Sequence, residues 1–215
     1  MTWVLGNLEL IGDLTLEHLV FALPPVVIGL LLAIPLGWLA NRTRTGRTIV
    51  INLAGLLYTV PSLALFVILP AVLGTGILDS INVIIALTVY TLALLVRTVA
   101  DALSAVPGTV IDSATAMGYR PVRRFLAVEL PLSIPVVLAG VRVAAVSSIS
   151  LVTVGSVIGF GGLGKMFTDG FQRDIPQEII AGIVLVLVIA LVVDGLLLLL
   201  GRALTPWTKA RAGAR

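Results

Sequence analysis

The chain has 215 residues, of which 59% are hydrophobic and only 12% are charged. Because soluble domains carry about 25% charged residues, this composition excludes a soluble globular protein and predicts an integral membrane protein. The absence of cysteine excludes disulfides and cysteine-based metal sites, and the formal net charge of +3 is more typical of orientation in a bilayer than of nucleic-acid binding.

The predicted elements are spanning helices, each of which needs about 20 mostly apolar residues. Five stretches meet this requirement, and they lie at residues 19–40, 49–73, 81–103, 132–158 and 179–200. The first 17 residues contain no Lys or Arg, so we expect no signal peptide. The predicted fold is an all-α membrane protein with about five transmembrane helices in a single transmembrane domain, residues 1–215.

The positions of the basic residues predict the direction of these spans. The loops after the first and third spans and the C-terminal tail hold most of the Lys and Arg, whereas the N-terminal tail holds none. The loop after the fourth span holds only Lys165 and Arg173. Since basic residues are enriched in cytoplasmic loops, we expect the N-terminus outside and the C-terminus in the cytoplasm. The loop of about residues 104–130 then lies in the cytoplasm.

This cytoplasmic loop is the most polar internal segment, and residues 112–131 read DSATAMGYRPVRRFLAVELP. We expect a first short helix, TVIDSATAM, that ends at Gly118, because glycine suits the left-handed position after a helix. Pro121 suits the first turn of a second helix, PVRRFLAVE, and Pro131 marks the entry to the fourth span. The alternative is a solvated loop whose arginines only fix the topology.

The same segment resembles the EAA motif of bacterial ABC-importer permeases. That motif runs Glu-Ala-Ala, three residues, Gly and then a spacer to Leu-Pro. Here the corresponding residues are Asp112, Ser113 and Ala114, then Gly118, then Leu130-Pro131, with small departures at the first two positions. The stretches LTLEHL (14–19), TVPSLALF (59–66), VELPLSIPVVLAGVR (128–142) and IGFGGLG (158–164) are similar to osmoprotectant permeases, which import glycine betaine, carnitine, choline or proline betaine.

The resemblance implies a type I ABC-importer permease in a bacterial cytoplasmic membrane, in contact with lipid and not with nucleic acid. It implies a partner P-loop ATPase that binds ATP and Mg, an extracytoplasmic solute-binding protein, and a second permease chain, identical or related. This chain has no G-x-x-x-x-G-K-[ST] sequence, so we expect neither an enzyme nor a cofactor site in it. The residues expected to couple to the ATPase are Asp112, Ser113, Ala114, Met117, Gly118, Tyr119, Arg120, Pro121, Arg123, Leu130 and Pro131.

The stretch GFGGLG matches the dinucleotide fingerprint G-x-G-x-x-G. A dinucleotide site needs a preceding strand and a βαβ unit, whereas a predicted spanning helix precedes this stretch. We favour a flexible re-entry turn over the alternative, an extracytoplasmic gate or binding-protein contact. In that alternative the contacting residues are Gly159, Gly161, Gly162 and Gly164.

Two charged residues lie inside predicted spans, Arg142 in the fourth and Asp194 in the fifth. Intramembrane charges need partners, and both residues lie at similar depth from the cytoplasmic end. We therefore predict a buried ion pair that locks the two spans together rather than a substrate site. Asp79 and His18 stand alone in the sequence, and we expect His18 to be interfacial and no metal to bind.

Prolines within the spans indicate where the solute pathway lies, since broken helices often line transport pathways. The candidate pathway residues are Tyr58, Pro61, Ser62 and Tyr90. Quaternary ammonium groups favour aromatic faces, and the chain has only six Phe, three Tyr and three Trp. We therefore expect selectivity to reside mainly in the binding protein.

Three alternatives remain open. The permease could import another small solute or an amino acid. An ATP-independent transporter or channel could use Arg142 and Asp194 as a relay, although it would have no need of a docking loop. A membrane-embedded enzyme lacks candidate catalytic groups in this sequence.

Overall fold

The computed structural model describes residues 2–207, and every regular element in that range is helical. The α-helices are α1 (Thr2–Gly6), α2 (Leu8–Ala40), α3 (Arg44–Thr59), α4 (Ser62–Leu73), α5 (Ser80–Ser104), α6 (Gly108–Ala116), α7 (Pro121–Arg124), α8 (Leu130–Gly155), α9 (Lys165–Gln172) and α10 (Pro176–Leu204). A π-helical turn, Phe125–Glu129, joins α7 to α8, and a 3₁₀ turn, Ser156–Ile158, follows α8. These findings confirm the predicted all-α class.

Helix α5 lies at the centre of the bundle, between α2, α3 and α8. Small residues let the backbones approach closely, as membrane helices require in the absence of a hydrophobic driving force. A Cβ on Gly29 of α2 would come within 2.5 Å of the Thr91 hydroxyl, and a Cβ on Gly37 within 2.7 Å of Val99. The Thr91 hydroxyl also donates to the Pro25 carbonyl at 2.8 Å, which ties α5 to the proline-containing part of α2.

Four helical segments in the described part of the chain are long and apolar enough to cross a membrane, or five spans if one bent pair counts as one. The third predicted span agrees with α5 to within a residue at each end. The first helix begins at Leu8, well before the expected residue 19, because apolar residues continue through the N-terminal stretch. The fifth extends slightly beyond its predicted bounds, as α10.

The predicted second span is not a continuous helix. It consists of α3 and α4, which meet at an angle of 98°. Val60 and Pro61 between them are both extended, with ψ of 128° and 130°. The cause is Pro61, because proline cannot donate the helical hydrogen bond and drives the preceding residue away from the helical region.

The predicted boundary at Pro131 between the second loop helix and the fourth span is wrong. The structure has one segment of 38 residues, Pro121–Ile158. The π-helical turn explains the continuity, because the Leu130 amide donates to the Phe125 carbonyl, five residues back. This wider turn takes up one extra residue and carries the helix past Pro131 without a break.

Candidate functional site

The end of helix α6 has the geometry that the sequence predicts for a glycine stop. Gly118 has φ of +85°, its amide donates to the Thr115 carbonyl at 2.9 Å, and the Tyr119 amide donates to the Ala114 carbonyl at 3.2 Å. These two bonds form a Schellman turn. A Cβ on Gly118 would meet no other atom within 4 Å, so the backbone conformation alone demands glycine here.

The structure brings most of the predicted coupling residues onto one exposed surface, which we call the α6–α7 surface. Its exposed members are Asp112, Ser113, Met117, Gly118, Arg120, Pro121 and Arg123. Tyr119 is half-buried, and the Arg123 guanidinium lies 4.9 Å from the centre of its ring. Ala114 is buried and faces the bundle. Leu130 and Pro131 lie half-buried in the spanning segment and do not belong to this surface.

The sequence analysis missed Thr115 and Glu129, which lie beside this surface, and it did not predict that Arg124 of the basic cluster turns inward to bond them. Arg124 donates to Glu129 at 2.7 Å and to the Thr115 hydroxyl at 2.8 Å. The basic cluster of the loop was visible in the sequence, but the sequence does not say which arginine turns inward. A five-residue spacing from Arg124 to Glu129 matches no ordinary helical pair, and only the π-helical turn brings the two side chains together.

Arg142 and Asp194 lie against each other between α8 and α10. The guanidinium donates two hydrogen bonds to the carboxylate, from Nε at 2.7 Å and from Nη2 at 2.6 Å. Such fork-to-fork pairs combine charge with fixed geometry. In the single chain the pair is less buried than we predicted, since about a third of each side chain is exposed, at 34% and 30%. It borders a groove lined by Ala139, Val143, Val146 and Ser147.

The glycine-rich stretch after α8, which we predicted as a flexible re-entry turn, is a closely packed loop in which residues 160–164 are all buried. The Gly162 amide donates to the Glu17 carboxylate at 2.8 Å, and the Leu163 amide donates to His18 Nδ1 at 3.3 Å. A Cβ on Gly161 would overlap the Glu17 carboxylate. The glycines thus allow the loop to lie directly on helix α2, and a helix rather than a strand precedes them, as expected.

His18 is fully buried, so the prediction of an interfacial histidine is wrong. Its Nε2 lies 3.0 Å from the Ile149 carbonyl of α8, while Nδ1 accepts from Leu163. A neutral ring that carries its hydrogen on Nε2 satisfies both bonds. Its partners lie 131 and 145 residues away in the sequence, which is why no local pattern indicated this role.

The candidate pathway residues gather at the bend between α3 and α4. The rings of Tyr58 and Tyr90 make an edge-to-face contact with centroids 6.0 Å apart. Tyr58 is 48% exposed and Pro61 is also exposed, whereas Tyr90 is buried and its hydroxyl donates to the Val60 carbonyl. Ser62 is half-buried at the start of α4. Tyr90 therefore holds the bend in place, and Tyr58 presents its ring at the surface.

Among the described residues, no group of three or more His, Cys, Asp or Glu side chains could hold a metal ion. Asp79 caps helix α5 by accepting from the Ile81 amide at 3.2 Å. The Arg97 side chain is 68% exposed and lies 3.9 Å from Asp101, which also pairs with Arg47 at 2.5 Å. These charged groups therefore have structural partners within the described bundle.

A bundle of apolar helices that are long enough to cross a membrane, with one sharply bent pair among them, is the arrangement of a multi-pass membrane protein. Residues 26–206 match the family described as "Binding-protein-dependent transport system inner membrane component". The chain belongs to this family, whose members are bacterial inner-membrane permeases.

Curated relatives and a solved structure agree with this assignment. The chain is 34% identical to a choline transport system permease protein, OpuBB, of Bacillus subtilis, over 89% of this chain and 87% of the relative. It is 32% identical to an osmoprotectant import permease protein, OsmW, of Salmonella typhimurium, over 95% and 96%. An inward-facing structure of the MetNI methionine ABC transporter matches with a TM-score of 0.81 at 22% identity, covering 93% of this chain and 98% of that one. The last comparison supports the fold.

Proposed function

We propose that the chain is the permease subunit of an ATP-driven importer for osmoprotectants, small solutes such as choline, glycine betaine and carnitine. The observation that carries this proposal is the identity to choline and osmoprotectant permeases over most of both chains. These relatives support the osmoprotectant reading over the first alternative, import of another small solute.

ATP would be hydrolysed by a partner subunit, because this sequence contains no phosphate-binding loop. The α6–α7 surface is the proposed docking site for that ATPase. Two features support this role, namely the exposed Met117 (71%) and Val122 (57%) on a short helix pair, and the fixed turn at Gly118 between them. Exposed apolar side chains rimmed by arginines are typical of a protein interface.

The solute pathway is proposed to pass the α3–α4 bend, beside Tyr58, Pro61 and Ser62. An exposed tyrosine face suits a quaternary ammonium group, which is attracted to aromatic rings. A second permease chain, identical or related, would complete the pathway, and a solute-binding protein would deliver the solute on the opposite side from the ATPase. The loop that holds Gly159, Gly161, Gly162 and Gly164 lies at that far end of α8, and its exposed residue, Gly159, is the proposed contact, while the other three glycines are buried.

The proposal is tested by purifying the tagged chain in mild detergent and identifying its stoichiometric partners by mass spectrometry. We expect a P-loop ATPase among these partners. The same mass spectra show whether the complex holds one kind of permease chain or two. The complex is then placed in liposomes with its binding protein, and uptake of labelled choline, glycine betaine and carnitine is compared with uptake of methionine. Isolation of a stable oligomer of this chain alone would contradict the proposal, as would ATP-driven uptake of methionine in preference to the quaternary ammonium solutes.

A further inference from the structure

Arg124 connects helix α6 to the beginning of the spanning segment. Its Nε donates to Glu129 Oε1 at 2.7 Å, and its Nη1 donates to the Thr115 hydroxyl of α6 at 2.8 Å. The side chains of Arg124 and Glu129 are only 25% and 10% exposed. A planar guanidinium can hold two partners in fixed directions, whereas a lysine ammonium cannot reproduce this fork.

Few other contacts fix the direction of α6. The helix has nine residues, and Ala114 is its only buried one. Isolated helices of this length are marginal in water, so the position of α6 depends on what holds its ends. The Schellman turn at Gly118 closes the C-terminal end of α6 on itself, and the side-chain bond from Arg124 to Thr115 ties that end to the segment that leads into α8.

The residues on the bundle side of Arg124 are packed firmly against other helices. Phe125, next to Arg124, is 6% exposed, and its ring lies 4.9 Å from that of Trp38 in helix α2. Glu129 is buried at the start of α8. A displacement of α6 therefore reaches both α2 and α8 through a short chain of direct contacts that begins at Arg124.

We propose that Arg124 is a positioning residue for transport, because it fixes the coupling helix α6 to the span α8 so that movement of the ATPase reaches the pathway. This inference rests on the proposed function. Arg124 acts from behind the α6–α7 surface through Thr115 and Glu129, and it is distinct from the residues that touch the ATPase.

The test uses the complete transporter in liposomes and measures solute imported per ATP hydrolysed. Thr115→Val removes the hydroxyl acceptor with almost no change in shape, and Thr115→Ser keeps it. Thr115→Val loses the bond from Arg124 and also the bond that the hydroxyl donates to the Ile111 carbonyl at 2.8 Å, and loss of the Arg124 bond corresponds to a fall in this ratio of about fivefold. Arg124→Gln, which loses its bonds to Thr115 and to the charged Glu129, is expected to lower the ratio about tenfold or more. Thr115→Ser is expected to retain the normal ratio.

Arg97→Gln is the matched control, since it removes the same charge from a 68% exposed arginine on α5 with only a long ion pair. It is expected to leave the ratio unchanged. Thermal stability and ATPase co-purification are measured for every variant, because a purely structural role would lower stability without changing the ratio. If the complexes of Thr115→Val and Arg124→Gln assemble and keep the wild-type ratio, the inference is overturned. If no ATPase co-purifies with the wild-type chain, the proposed function itself fails. That result is obtained before any variant is examined.

Discussion

Replacement of Gly118 is the sharpest test of the α6–α7 surface, because only the backbone is affected. Gly118 has φ of +85°, and a Cβ would contact nothing within 4 Å. A residue other than glycine costs about 1–2 kcal/mol in the left-handed conformation. That cost lowers the population of the correctly turned loop about 5- to 30-fold. Since no packing is disturbed, the amount of protein inserted in the membrane stays normal.

The assay compares Gly118→Ala and Gly118→Asn for ATPase co-purification and for ATP-driven uptake in liposomes. Asparagine tolerates the left-handed region better than alanine, so uptake is expected to fall in the order glycine, asparagine, alanine. Gly108→Ala is the control, because Gly108 opens the same helix α6, has no positive φ and also has nothing within 4 Å of an added Cβ. Normal uptake in Gly118→Ala, or equal loss in Gly108→Ala, would refute this reasoning.

The other predictions concern contacts between distant elements. Arg142→Ala and Asp194→Ala are each expected to reduce folded protein in the membrane, and the double variant to recover part of the loss; strictly additive losses would show that the two side chains act separately. Glu17→Ala removes the acceptor of the Gly162 amide and should lower stability by about 1 kcal/mol in a thermal unfolding assay, whereas Glu17→Gln keeps an acceptor and most of the stability. Tyr90→Phe should cost about 1 kcal/mol and increase proteolysis at the α3–α4 bend, and an unchanged cleavage rate would mean that the hydroxyl does not hold the bend.

The features that the sequence predicts well are those set by local chemistry. The Schellman turn follows from a glycine after a short helical pattern, and the neighbouring proline starts the next helix. The approach of Arg142 to Asp194 follows because both charges lie in apolar spans at similar depth. The turn depends on only a few neighbouring residues. The ion pair depends on the energetic cost of leaving a charge unpaired among apolar helices.

The features that the sequence did not predict depend on tertiary contacts. Pro61 indicates a break, but the angle of 98° also depends on how Tyr90 holds the Val60 carbonyl. The inward turn of Arg124 depends on a π-helical turn, which has no clear sequence pattern. The burial of His18 depends on a loop more than a hundred residues away. Sequence periodicity carries no information about such pairings.

Helix α2 contacts the continuous segment Pro121–Ile158, which includes α8, at two places far apart along its length. At one end Trp38 stacks on Phe125, beside the Arg124 connection, and at the other end His18 bonds to Ile149 and to the Leu163 amide. A helix held at both ends cannot tilt freely against its neighbour. The core of α2, α5 and α8 should therefore move as one body during transport.

The rearrangement that switches access is then expected at the α3–α4 bend, because α10 is itself held to α8 by the pair of Arg142 and Asp194. Hydrogen exchange of the complete transporter can test this division. The amides of α2, α5 and α8 should exchange slowly with and without ATP, while those near the bend should change their exchange rates on ATP binding. Because the chain contains no cysteine, single cysteines placed on each helix can report the same movements by labelling. An ATP-dependent change confined to the contact between α2 and α8 would contradict the rigid-body account, since the connections at Trp38 and His18 would then have to break in each cycle.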